Sequence, residues 1–247
     1  MGRAGIMAGA AWVLVALAGC GGTPVQQAPP AVHPAPVQPG PDQPGSVQTG
    51  ATRTGTSTPP PPETRWPAYL PTIVPVTARR LGPSWHLGCP TSYDGLRLVR
   101  LWYAGFDGRP HEGELIVAEP VAAEVAAIFG ELYAARFPIR QVRTVDAYGA
   151  SDDASVAADN TSAFNCRLIT GGTAWSRHAY GRAIDLNPRE NPYVTGGTAF
   201  PPGSTTDRDP RRAGVVTPAV VRMFARHGWQ WGGYWTGPID YQHFEKR

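Results

Sequence analysis

The sequence has few charged residues, few cysteines and no basic cluster. Only 17% of its 247 residues are charged, and the formal net charge is +3. Without a run of lysine or arginine, this small positive excess argues against a nucleic-acid partner. Three cysteines exclude a small scaffold that depends on many disulfides.

Proline and glycine are abundant, and the prolines are unevenly distributed. The chain has 27 prolines and 29 glycines, together about twice the ordinary usage. Twelve of the prolines lie between Thr23 and Arg65, where no aromatic residue, leucine or isoleucine occurs. Such a segment has too little apolar surface to form a core, so we expect an extended or coiled tether. The remaining residues, 66–247, have the size of a single domain.

The N-terminus has the pattern of a bacterial export signal. Arg3 precedes an apolar run over residues 4–18 that is too short to span a membrane comfortably. The run ends in Leu-Ala-Gly followed by Cys20, which resembles the lipobox in which the cysteine is lipid-modified and becomes the first residue after cleavage. An ordinary secretory signal that happens to carry a cysteine is the alternative.

These features predict three segments and a location. We expect a lipoprotein signal peptide over residues 1–19, a lipidated Cys20 with a Pro-rich tether over 20–65, and a folded domain over 66–247. The protein would then lie outside the cytoplasm as a monomer, anchored to the bacterial cell membrane by its lipid. A lipid anchor followed by a long tether suits a substrate that stands away from the membrane, such as the cell wall.

Two further cysteines, Cys89 and Cys166, lie in the predicted domain. Because the chain is expected to be exported, these two residues could pair as a disulfide. Two buried free thiols are the alternative.

Hydrophobic periodicity predicts an α+β fold for the domain. Strands are expected over 96–103, 113–118 and 139–148, with short ones at 229–231 and 241–245, and helices over 120–137 and from Pro218 onward. Strands and helices do not alternate regularly, so a small antiparallel sheet flanked by helices fits better than a doubly wound parallel sheet. The stretch over 187–215 predicts a long loop that is either functional or disordered.

The segment over residues 175–187 carries the first candidate site residues. His178 and Asp185 are residue types that bind zinc. Gly181, which lies between them, permits a sharp backbone turn. Alternation along a strand would then point Asp185 into a cleft and its two neighbours into the core.

A second candidate segment lies near the C-terminus. His243 supplies a third possible metal ligand, and Asp240 precedes it by three residues. Asp240 could act as a general base without being a ligand itself. Three protein ligands and one open position are what a catalytic zinc site requires, whereas a structural zinc site takes four ligands.

The joint pattern Ser-x-His-x-x-Gly-x-Ala-x-Asp, followed later by Asp-x-x-His, is more specific than either part. With it, the chain from about Tyr148 onward resembles the zinc peptidoglycan peptidases. This group includes D-alanyl-D-alanine carboxypeptidases (VanY-like) and the L-alanyl-D-glutamate endopeptidases of phage lysins. The resemblance implies a hedgehog-like metallopeptidase fold, a Zn²⁺ cofactor and the stem peptides of peptidoglycan as substrate.

The resemblance also implies a role for each matching residue. The residues that match the zinc ligands are His178, Asp185 and His243. Asp240 matches the acidic catalytic base, and Ser176 matches a serine that contacts substrate. Arg167 looks like the arginine that stabilises the scissile carbonyl oxygen, with a surface salt bridge as the alternative.

Two functions from different classes follow from these expectations. The first is zinc-dependent hydrolysis of stem peptides, as a D,D-carboxypeptidase or as an L-Ala-D-Glu endopeptidase. Many carboxypeptidase members carry Glu where this chain has Asp240, and the Trp-Gly-Gly-x-Trp before it looks closer to the endopeptidase branch. The alternative is a non-catalytic wall-binding or regulatory lipoprotein on the same fold.

Overall fold

The computed structural model describes residues 66–247. The predicted signal peptide, the lipidation site Cys20 and the Pro-rich tether lie outside the described residues. Within residues 66–247, no helix has both the length and the apolar character needed to cross a membrane.

The largest sheet is built around one long hairpin. Strands β2 (Leu96–Gly105) and β3 (Pro110–Ala118) pair antiparallel, as the sequence predicted. β1 (Thr72–Pro75) pairs with the other edge of β2 in antiparallel orientation. The short strand β4 (Pro138–Ile139) pairs in parallel with the C-terminal end of β2. Gly108 allows the tight turn of the hairpin because its φ of 71° suits glycine.

Among the described residues, three α-helices precede the second sheet, and the longest of them covers one face of the hairpin. Two short ones, α1 (Ala78–Leu81) and α3 (Asp152–Ala157), each begin after a hydroxyl N-cap. The long helix, α2 (Glu119–Ala134), has a proline in its first turn and confirms the predicted periodicity. Its buried apolar residues pack on the hairpin and form the main core, and they include Val121, Val125, Ile128, Phe129 and Leu132.

The strand predicted over residues 139–148 is wrong. Of these residues only Ile139 lies in a strand, as the last residue of β4, and Val145–Tyr148 forms a 3-10 helix. The Asn160 side chain accepts a hydrogen bond from Arg143 N at 2.9 Å and donates one to Arg143 O at 2.9 Å. A side chain therefore satisfies the backbone of Arg143, while Val142 forms only an isolated bridge with Thr161 and accepts a hydrogen bond from Glu114 N of β3.

A second sheet contains the C-terminal strand. β5 (Ala183–Asp185), β10 (His243–Glu245) and β8 (Gln230–Trp231) form an antiparallel sheet with β10 in the centre. The adjacent helix α4 (Pro218–Arg226) begins at Pro218, as predicted from the sequence, and Thr217 is its N-cap. Phe224 of α4 stacks on Phe244 of β10 with 3.7 Å between ring centroids, which joins the helix to the sheet.

The stretch over 187–215 is not an unstructured loop. It contains a hairpin of β6 (Tyr193–Thr195) and β7 (Thr198–Phe200), and β6 also pairs with β9 (Ile239–Asp240). The buried Asn191 side chain donates to the carbonyl oxygens of three residues and accepts from Val216 N. These contacts fix both ends of the stretch beside the C-terminal segment.

The architecture is α+β, with small antiparallel sheets and few helices, as the sequence predicted. Residues 162–164 connect the two main sheets because Ser162 pairs with Asp185 and Phe164 N donates to Ile116 O. Ile184 and Phe244 from the second sheet, with Leu186 directly after β5, join the core beneath α2. The short strands β5 and β10 therefore pack on the main core.

Cys89 and Cys166 form a disulfide, with their Cα atoms 5.8 Å apart. The predicted pairing is confirmed, and the alternative of two free thiols is wrong. The bond closes a loop of 77 residues. It lies beside a second apolar cluster that includes Leu81, Leu96 and Phe164.

Loss of this disulfide is expected to destabilise the domain. For the double variant Cys89→Ser/Cys166→Ser, the chain-entropy argument gives a loss of up to about 4.5 kcal/mol in the free energy of unfolding. Urea denaturation of the variant and the wild type measures the difference. Reductant is the control, because it should destabilise the wild type and leave the variant unchanged. Equal midpoints for the two proteins would contradict the expectation.

Candidate metal centre

Three buried side chains converge on one point, and we call them the His-Asp-His cluster: His178, Asp185 and His243. His178 Nε2 lies 3.1 Å from Asp185 Oδ2, and His243 Nδ1 lies 3.0 Å from Asp185 Oδ1. The two ring nitrogens are 3.3 Å apart. At most 6% of the surface of each residue is exposed, so the cluster is shielded from bulk solvent.

His178 is placed by a short capped helix. It lies in the 3-10 helix Arg177–Tyr180, where Ser176 Oγ accepts a hydrogen bond from His178 N at 3.3 Å. The helix ends at Gly181, whose φ is 65°. A Cβ on Gly181 would lie 2.5 Å from Ala118 N, so the turn needs glycine for both its conformation and its close approach.

Asp185 and His243 are placed by strand pairing. They stand opposite each other in the register of β5 and β10. Their neighbours Ile184 and Phe244 also pair, and both are fully buried in the core. Because side chains alternate along a strand, core packing directs Asp185 and His243 to the opposite face.

In each histidine ring of the cluster, one nitrogen faces outward and contacts a fixed oxygen, and this contact orients the other nitrogen toward the cluster. His178 Nδ1 lies 2.5 Å from the carbonyl oxygen of Ala163, and His243 Nε2 lies 3.4 Å from Glu245 Oε2. A carbonyl or carboxylate oxygen only accepts, so each of these nitrogens carries the proton. In a neutral ring the inward nitrogen then keeps its lone pair, which is the form that binds a metal.

The electrostatic environment of the cluster favours a cation. Burial disfavours the charged form of Asp185, but nearby His178 and His243 outweigh it and hold the pKa of Asp185 well below its usual range. Burial likewise opposes charge on His243, but hydrogen bonds to Asp185 and Glu245 raise its pKa to about 10. A metal ion would compete with protons for the same positions.

Asp240 lies beside the cluster at the end of β9. Burial raises the pKa of its carboxyl to about 7. The charge of Asp185 also raises this pKa, whereas the charges of His243 and His178 lower it. Within the described part of the chain, its buried Oδ1 has no hydrogen-bond partner. Two imidazole nitrogens and one carboxylate, with an unpartnered acidic oxygen nearby, fit zinc with one open position.

Ser176 makes a contact that the sequence did not predict, whereas Arg167 makes the salt bridge that was given above as its alternative role. Ser176 caps the helix that carries His178, so it positions this residue whether or not it also contacts substrate. Arg167 forms an ion pair with Asp152, with Nε 2.9 Å from Oδ1. The backbone of Arg167 accepts a hydrogen bond from Ser176 N at 3.1 Å, which links it to the same segment. Its role at the substrate carbonyl stays a prediction.

Sequence reasoning missed two contributors to the site, the Ala163 carbonyl and Asp152. Ala163 acts through its backbone carbonyl, which no sequence pattern marks. Asp152 is 15 residues away from its partner Arg167 and reaches it only through the fold. The Trp235 ring lies 5.3 Å from the His243 ring and is 39% exposed, so it forms one wall of the site.

A second group of potential ligands lies elsewhere, at His86, Cys89 and Cys166. Both sulfur atoms belong to the disulfide. Since a zinc site requires deprotonated thiols, this group does not suit a metal.

Residues 170–246 match the model of a protein family described as D-alanyl-D-alanine carboxypeptidase. The match covers roughly the C-terminal third of the chain and includes the His-Asp-His cluster and Asp240, whereas Arg167 lies outside it. It supports the family that the sequence resemblance indicated, and with it a peptidase. No curated protein and no solved structure matched the chain.

Proposed function

We propose that this protein is a zinc-dependent peptidase that cuts peptide bonds in the stem peptides of peptidoglycan. The observation that carries the proposal is the His-Asp-His cluster, with its ligand-type atoms turned inward and Asp240 beside it. The family match over the same residues supports a peptidase.

In this proposal the His-Asp-His cluster holds the metal. His178 would contribute Nε2, His243 Nδ1, and Asp185 a carboxylate oxygen. Zinc bound by three protein groups polarises a peptide carbonyl and lowers the pKa of water toward neutrality. The buried setting strengthens this effect because it excludes bulk solvent from the charges.

Asp240 would act as the general base and then as the general acid. Its carboxylate takes a proton from the attacking water and later returns that proton to the leaving amine. A pKa raised by burial suits this double role, since a group that titrates near neutrality both accepts and releases protons readily.

Two further residues would act on the substrate. Arg167 would stabilise the negative charge that develops on the scissile carbonyl oxygen. Its ion pair with Asp152 would hold the guanidinium in place. Ser176 would contact the substrate from the turn that precedes His178.

Outside the described residues, the sequence supports the location of this activity. We propose that Cys20 is lipidated and that residues 20–65 tether the peptidase to the outer face of the cell membrane. The domain would then reach cell-wall peptides at a distance from the membrane, and it would do so as a monomer.

Mass spectrometry of digested muropeptides tests the proposed reaction. Purified protein loaded with zinc is incubated with peptidoglycan, and both free D-alanine and new D-glutamate N-termini are measured. D-alanine release identifies a carboxypeptidase, and a D-glutamate N-terminus identifies an endopeptidase. A stem peptide with an amidated C-terminus is the control, because only a carboxypeptidase should spare it. Neither product, with zinc bound, would overturn the proposal and favour a non-catalytic wall-binding protein.

A further inference from the structure

Glu245 lies two residues beyond His243 on β10 and projects from the same face. Its Oε2 is 3.4 Å from His243 Nε2, on the side of the ring opposite Asp185. The imidazole of His243 is therefore held between two carboxylates, with Nδ1 facing Asp185 and Nε2 facing Glu245.

This contact selects one of the two orientations of the His243 ring. A half-turn of the ring would place carbon Cδ2 at the cluster instead of Nδ1. It would also place carbon Cε1 beside Glu245, which would lose the hydrogen bond. Glu245 therefore favours the orientation in which Nδ1 is turned toward Asp185 and His178.

The Glu245 carboxylate is itself held in place. Its side chain is 12% exposed, and it stands opposite Ala183 in the register of β5 and β10. The methyl group of Ala183 is small and leaves room for the carboxylate. Nε of Arg247 lies 3.9 Å from Oε1 of Glu245. The positive charge of Arg177 also favours the ionised form of this carboxylate.

We infer that Glu245 is a positioning residue for the metal centre: it fixes the His243 ring and its tautomer so that Nδ1 presents a lone pair to the metal. A carboxylate behind a metal-binding histidine both orients the ring and raises its basicity. This inference rests on the metal centre proposed above. It goes beyond that proposal because the role acts through His243 and does not require contact with zinc or substrate.

The first test measures zinc affinity without substrate, by competition with a chromophoric chelator on the full chain. Glu245→Ala is expected to bind zinc about 10- to 100-fold more weakly, the usual effect of losing such a partner. Glu245→Gln should lose less, because its amide oxygen still accepts a hydrogen bond from Nε2. Unchanged affinity in Glu245→Ala would overturn the inference.

Lys246→Ala is the matched control for a purely structural role. Lys246 anchors the same chain end through Glu124 and the carbonyl oxygen of His227, without contacting His243. The control should lower thermal stability and leave zinc affinity unchanged. If Glu245→Ala behaves in the same way, Glu245 only stabilises the end of the sheet and the inference fails.

The second test locates the proton on His243 by ¹⁵N NMR of the zinc-loaded protein. The inference expects the proton on Nε2, and a proton on Nδ1 would overturn it. The two proposals fail in different ways. A wild type that binds no zinc overturns the metal centre, whereas zinc binding without peptide hydrolysis overturns only the peptidase reaction.

Discussion

Replacing His178 by alanine is expected to abolish zinc binding and peptide hydrolysis together. The variant loses Nε2, which lies within 3.3 Å of both other members of the cluster. Two remaining ligands do not make the three-ligand site that catalytic zinc requires. The loss of affinity should exceed the roughly 10- to 100-fold effect of removing an outer partner.

Metal analysis after dialysis and the rate of stem-peptide cleavage measure the two effects of His178→Ala. His227→Ala is a suitable control, because His227 contacts Glu131 at the end of α4 and belongs to no ligand cluster among residues 66–247. This control should keep both zinc and activity. Stoichiometric zinc in His178→Ala would show that the metal is bound elsewhere.

Replacing Asp240 by alanine is expected to separate metal binding from catalysis. Asp240 is not one of the three converging ligands, so zinc should remain bound. Hydrolysis should fall by about 100- to 10,000-fold, which is the usual contribution of a positioned general acid and base. The variant also removes a buried carboxyl whose Oδ1 has no partner within the described residues, so we expect little loss of stability.

The measurements for Asp240→Ala are kcat with a synthetic stem peptide and zinc content on the same sample. Asp240→Asn is the matched variant, because it keeps the shape of the side chain and removes only the base. Both variants should lose activity to a similar extent. Full activity in either would exclude Asp240 as the base, and loss of zinc in both would make it a ligand instead.

The elements predicted most accurately are those with long, local patterns. The periodicity of α2 and the apolar runs of β2 and β3 depend only on residues that are close together in the sequence. The structure confirms these three elements. The region over 139–148 also carries several apolar residues, yet it forms no long strand. One of the contacts that shape it comes from Asn160, which is distant in sequence and satisfies the backbone of Arg143.

The candidate site shows the same division. The sequence identified the residues of the cluster. His178 and Asp185 belong to the pattern Ser-x-His-x-x-Gly-x-Ala-x-Asp, and His243 ends the later Asp-x-x-His. It did not identify Ala163 or give Glu245 a role at the metal. Ala163 contributes a main-chain oxygen, and Glu245 acts only because β10 directs it toward His243.

By itself the sequence determined the chemistry available to this protein: two imidazoles, two carboxylates, an α+β domain and a pair of cysteines suited to an exported chain. Tertiary structure decided how these groups are oriented and how deeply they are buried. It set which nitrogen of each histidine faces inward, since this depends on acceptors from β10 and from the segment before β5. It also buried Asp240, which raises the pKa of that carboxyl to about 7 through loss of contact with water.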